Sequence, residues 1–162
     1  MGSNSERSSN KTTYMDTVFP QPIAIPAGSG KILNLLGVTH KLTKPQTGGA
    51  FYLCEAIFAP ESGSPLHIHH YEDEVIHVLE GAIDIRLDSN HLHAPAGGVI
   101  HLPKKIPHAL QNPLKTPLRI MVFAIPGGLE NYFDEVDAAL QNGSLDHETH
   151  LKISRKYGLE WL

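Results

Sequence analysis

The sequence predicts an all-β domain, a sandwich or closed barrel, that ends in α-helices. Three observations predict it. Glycine and proline, 14 and 12 of the 162 residues, punctuate the chain frequently. Between them lie short apolar runs rich in Ile, Val, Leu and Phe, each of ordinary strand length. Only toward the C-terminus does the apolar spacing lengthen to the helical period.

The elements follow in order. Residues 1–14, MGSNSERSSNKTTY, are rich in Ser and Asn and hold no apolar run. They are expected to form a disordered tail and lack the apolar region of a secretory signal. KILNLLGV, AFYLCEAIFA, DEVIHVLEG, AIDIRLD, GVIHLP, HALQN and LRIMVFAIP then read as successive strands. Many short strands with regular turns favour a sandwich or barrel over alternating α/β units. The break at Glu80-Gly81 reads as a hairpin between two of them. In GLENYFDEVDAALQNG, residues Leu129, Tyr132, Phe133, Val136 and Leu140 share one face of a helix, and Asn142-Gly143 stops it. A second helix is expected over about residues 145–157, capped by Ser144 or Asp146. The chain thus divides into a tail (1–14), a β-barrel (15–126) and a helical segment packed on it (127–162).

Composition narrows the function. The net charge of −4 argues against nucleic acid, which requires a basic face. No apolar stretch reaches membrane-spanning length. The single cysteine, Cys54, lies in FYLCEAIF and reads as a small buried hydrophobe. One cysteine allows no internal disulfide and no cysteine-rich zinc site, which fits a reducing cytoplasm. Eleven histidines are the outlier, and histidine is both a metal ligand and a pH switch.

Strand parity sorts them. In PLHIHHYEDEVIHVLEG, residues 65–81, His67 and His69 point to one side of a strand and can share an ion. Glu74, Ile76 and Val78 share a face of the next strand, and of Glu72, Asp73 and Glu74 only one is expected to project inward. His70 and His77 have the opposite parity and are expected to face outward or toward an interface. His91 and His93 repeat the spacing, but no glutamate follows and Pro95 interrupts, so they read as a polar hairpin edge. His101 reads as a satisfied core histidine or a neighbour of the ligands. His40, His147 and His150 read as surface residues.

The longer pattern resembles a known family. His67-x-His69, four residues, Glu74, six residues, Gly81 resembles the first motif of the cupins. Gly97, five residues, Pro103, then His108, three residues, Asn112 resembles the second. The resemblance runs from about Lys31 to Pro126. PGGLENYF and YGLEWL also look like the tails of single-domain cupins similar to bacterial quercetin dioxygenases. The resemblance implies a jelly-roll β-barrel, or double-stranded β-helix, closed around one divalent transition metal. It implies His67, His69, Glu74 and His108 as ligands. This chain departs from the family pattern at two turn positions, with Glu61 and Lys105 where glycines are usual. Three imidazoles and a carboxylate suit Fe, Ni, Mn, Co, Cu or Zn alike.

The implied activity is a dioxygenase of the quercetin dioxygenase type, with Glu74 as both ligand and catalytic base and dioxygen as second substrate. The inward positions, Ile76, Val78 and Leu110 among them, are apolar, and Phe51, Phe58 and Phe123 are further candidates to line the barrel. Such a cavity suits a small enol, phenol or hydroxyketone. Tyr132 and Phe133 are placed to close one mouth. Two alternatives stand beside this reading. One is an isomerase, lyase or cyclase using the metal as a Lewis acid; the other is a small-molecule binding module without turnover. Single-domain relatives commonly pair through sheet edges, so a homodimer is expected.

Overall fold

Alternation of buried and exposed residues builds two antiparallel sheets in this computed structural model, which describes residues 21–162. The expected tail, residues 1–14, lies outside the described residues. In chain order the elements are β1 (Lys31–Leu33), β2 (Val38–Leu42), α1 (Lys44–Thr47), β3 (Tyr52–Phe58), β4 (Gly63–His69), β5 (Asp73–Glu80) and β6 (Ala82–Arg86). There follow β7 (His91–Pro95), β8 (Val99–Leu102), β9 (His108–Gln111), β10 (Leu118–Ile125), α2 (Glu130–Gln141), α3 (His147–Lys156) and β11 (Leu159–Trp161). One sheet has the order β1-β2-β3-β10-β5-β8 and the other β11-β4-β9-β6-β7. The fold is the double-stranded β-helix with C-terminal helices.

The chain crosses between sheets at β3–β4, β4–β5, β5–β6, β7–β8, β8–β9, β9–β10 and, through the two C-terminal helices, β10–β11, so most sequence neighbours are not sheet partners. This corrects the hairpin expected at Glu80-Gly81. β5 pairs with β10 and β8, whereas β6 pairs with β7 and β9. Gly81 is a corner, with φ +85°, and a Cβ there would stand 3.3 Å from the Pro117 carbonyl oxygen. Glycine accepts that conformation without steric cost.

Between the sheets, Ile76, Val78, Ile83, Ile85, Leu118 and Ile120 are fully buried. Each such side chain contributes about 1.5–3 kcal/mol by leaving water. The KILNLLGV segment is not one strand: it turns between β1 and β2. Phe51 and Phe123 are not barrel lining. They neighbour the buried Tyr52 and Val122 in the alternation and pack together outside at 6.1 Å between ring centroids. The short helix α1 carried sequence signals of its own: Thr43 at the N-cap, Pro45 in the first turn and Gly48 at the C-cap. Gln46 accepts a hydrogen bond from the Thr43 backbone N–H at 2.9 Å.

Asn112, fully buried, pins the loops at one end of the barrel. Its Nδ2 donates to the carbonyls of Ala59 and Thr116, both at 2.9 Å, and its Oδ1 accepts from Leu114 N–H at 3.0 Å. The two departures from the family pattern also have a structural signature. Glu61 and Lys105 are the non-glycine residues with positive φ, 57° and 67°, among the described residues. The turns keep the left-handed geometry that glycine normally serves.

Both expected C-terminal helices are present. Leu129, Tyr132 and Val136 bury one face of α2, and the Asp146 carboxylate caps α3 by accepting from Thr149 N–H at 2.7 Å. β11 then pairs with β4, setting Leu159 opposite His69 and Trp161 opposite His67. No helix among the described residues is long and apolar enough to cross a membrane.

Candidate metal centre

Strand period two brings His67 and His69 to the inner face of β4, Glu74 to the inner face of β5, and His108 to the inner face of β9. All four are buried, between 1% and 6% exposed. β4 and β9 are paired with His67 opposite His108, while Glu74 comes across from the other sheet. One ligand-type atom from each lies within 4.8 Å of every other. Ligand atoms about 2.0–2.2 Å from one ion lie no more than about 4.4 Å apart. The cluster therefore needs to contract by only a few tenths of an ångström.

Hydrogen bonding sets the direction of two rings. His67 Nδ1–H donates to the Pro65 carbonyl at 2.8 Å, and His108 Nδ1–H donates to the Ile106 carbonyl at 2.9 Å. A carbonyl can only accept, so in the neutral imidazoles Nε2 carries a bare lone pair. His108 Nε2 sits 3.1 Å, and His69 Nε2 3.4 Å, from the same oxygen of Glu74. Lone pairs converging on a carboxylate repel unless a proton or a metal ion lies among them.

The titrations express the same tension. Burial, followed by His108 and His69, pulls His67 down to about 4. Burial also acts to lower His69, but the carboxylates of Glu74 and Glu72 outweigh it and raise this residue. Glu74 is held down to about 2, against the effect of its own burial, by His69 and His108. The set comprises three imidazoles and an anionic carboxylate, the donor chemistry of a divalent transition-metal site. The cluster can hold such an ion.

A cavity of about 330 Å³ opens beside it, reached by His67, His69 and Glu74 and walled by Val38, Phe58, Leu110, Ile120, Val122 and Phe133. Its size lies at the lower end of the ~300–1,000 Å³ of small-molecule pockets. Tyr132 and Phe133 of α2 form part of its wall, as does Trp161 of β11, whose ring lies 5.0 Å from that of His67. Cys54 also faces the cavity, but burial pushes its thiol up to about 12, so it remains an unreactive thiol.

Several histidines lie where parity places them. His70 and His77 are on the outer side, half-buried, and His91 and His93 are exposed on β7. His101 is exposed, not a core residue. His40 is the larger correction: it is 3% exposed, between Tyr52 and Asp134. His147 is exposed, while His150 is half-buried and bonded to the Tyr132 hydroxyl at 2.9 Å. Glu72 is a further correction. It is buried together with Glu74, so two of the three acidic residues turn inward. It lies in the turn before the first residue of β5, where strand parity does not yet apply.

Two sheets wound over a buried three-histidine, one-carboxylate cluster define a double-stranded β-helix protein with a candidate metal centre. The sequence pattern of the cupin domain family matches residues 54–124, and this match supports a place in the cupin superfamily. An uncharacterised protein of Methanocaldococcus jannaschii is 34% identical over 74 residues, 46% of this chain and 59% of that relative. The match thus spans less than two thirds of the relative's length. Among solved structures, a predicted oxalate decarboxylase from Thermotoga maritima superimposes with a TM-score of 0.51 at 23% identity, covering 55% of this chain and 78% of that one. A conserved double-stranded β-helix protein from Klebsiella pneumoniae gives 0.50 at 15% identity, covering 64% and 83%. At these identities the likeness speaks for the fold alone.

Proposed function

We propose that this protein is a metal-dependent enzyme acting on a small enolic or phenolic molecule, and in particular an oxygenase similar to quercetin dioxygenases. His67, His69, Glu74 and His108 are its metal ligands. The observation that carries the reading is the convergence of four buried ligand atoms within 4.8 Å at the wall of an apolar cavity. A divalent transition metal bound there would supply Lewis acidity, lowering the pKa of a substrate hydroxyl.

The chain's own residues do the rest. Glu74, held anionic beside the cavity, accepts the hydroxyl proton as general base. Phe58, Val122 and Phe133 shield the site from water and orient an apolar ring. Tyr132 and Phe133, on a helix outside the sheets, contribute to substrate selectivity. In this reading the protein works as a homodimer paired through sheet edges, where Ile32 on β1 and Val99 on β8 are exposed.

Oxygen consumption by metal-reconstituted protein across flavonols and other enolisable compounds tests the activity. Uptake with at least one of them, lost in Glu74→Gln, is the expected result. Turnover of such a compound without oxygen uptake assigns instead a Lewis-acid isomerase, lyase or cyclase. Binding without turnover assigns a small-molecule module. Light scattering at micromolar concentration checks the dimer, and a monomer mass refutes it.

A further inference from the structure

Two of the three clustered histidines have their outer ring nitrogen satisfied by a backbone carbonyl, and one does not. His69 Nδ1 is buried without a hydrogen-bond partner, and so is Glu72 Oε2. The two atoms face each other at 3.6 Å. Both side chains are buried, at 5% and 7% exposure. A carboxylate removed from water needs a compensating partner, and an unmade bond there is costly. A shift of about 0.7–0.9 Å along this line gives the ~2.7–2.9 Å of a charge-assisted hydrogen bond.

From this geometry, and resting on the metal-centre reading above, we infer that Glu72 is a positioning residue: it accepts the Nδ1–H of His69 and so turns His69 Nε2 toward the ion. The role parallels that of the Pro65 and Ile106 carbonyls behind His67 and His108. Its difference is charge. Outer partners of this kind fix the tautomer of a ligand histidine and strengthen it as a donor, and a carboxylate does both.

The test is a zinc titration of the full chain against a competing chromophoric chelator, in the parent, Glu72→Gln and Glu72→Ala. Zinc affinity is expected to fall about tenfold in Glu72→Gln and up to about 100-fold in Glu72→Ala. Metal-free melting temperatures should stay close to the parent's. With ¹⁵N-labelled histidine, the zinc-bound parent should show His69 as the Nδ1–H tautomer with its proton protected from exchange, and Glu72→Ala should lose that protection. A purely space-filling role for Glu72 would leave this signal unchanged. Parent and both variants binding zinc equally would overturn the inference while the metal centre stood. A parent that binds no zinc would remove the metal centre itself, and the inference with it.

Discussion

Two buried histidine networks lie in this barrel, and they are built on opposite principles. Around His40 the partners form a series. Nε2–H donates to Asp134 at 2.9 Å, Nδ1 accepts from the Tyr52 hydroxyl at 2.5 Å, and Lys31 donates to Asp134 at 2.7 Å. Every donor meets an acceptor, so the network is complete. Around Glu74 the partners form a funnel: Nε2 of His69 and His108 and a carboxylate point at one another. The first arrangement fastens β2 and β3 to α2; the second calls for a proton or a metal ion among its converging atoms. Burial of polar groups alone therefore does not identify a site. The direction of their lone pairs does.

The strongest way to break the comparison is to remove one histidine from each network. His69→Ala should lower zinc affinity by at least about 100-fold, since a proposed ligand is deleted outright, whereas His40→Ala should leave it unchanged. Chelator competition measures both. His40→Ala should instead destabilise the fold by about 2–3 kcal/mol, because Tyr52 keeps a buried hydroxyl without its acceptor. The urea midpoint reports this, and an unchanged midpoint would mean that the series contributes no net stability.

A smaller effect sharpens the contrast through pH. Against its burial, His69 is raised above its ordinary value by Glu74 and Glu72, so in metal-free protein it keeps its proton to higher pH than a free imidazole and must release it when an ion binds. His67, already held near 4, has none to release in this range. Zinc affinity should therefore fall as the pH is lowered through the raised pKa of His69, by about tenfold per unit, or about 1.4 kcal/mol. Calorimetry in buffers of different ionisation enthalpy should count more protons released per zinc bound as the pH is lowered. The smallest effect lies outside both networks. Glu61→Gly and Lys105→Gly should each stabilise by about 0.5–1 kcal/mol, because their left-handed backbone costs a side chain more than it costs glycine. Thermal melting resolves gains of that size.

How much of this was legible in the sequence depended on how local the cause was. Strand parity correctly separated His67 and His69 from His70, and Glu74 from Val75, because a two-residue period survives any tertiary context. The helix at 130–141 and its successor were legible from the spacing of Leu129, Tyr132, Phe133 and Val136 and from the capping group of Asp146. The corner at Gly81 was not, because a glycine between two apolar runs serves a hairpin and a sheet crossing equally well. His40 shares the buried face of β2 with Val38, so the strand period offered a sign of its burial, but its partner Asp134, 94 residues away on α2, was not legible. Glu72 escaped because the turn carrying it has no period to read.

The ring of Trp161 consequently gives the protein an optical reporter of its own. It is the sole tryptophan in the chain, its indole Nε1–H is anchored to Ser154 Oγ at 2.8 Å, and its ring lies 5.0 Å from that of His67. Copper, nickel or cobalt entering the cluster should quench its fluorescence at this range, while closed-shell zinc should leave the emission bright. Metal loading can then be followed in real time without a dye, and the two classes of ion distinguished by eye on a single trace.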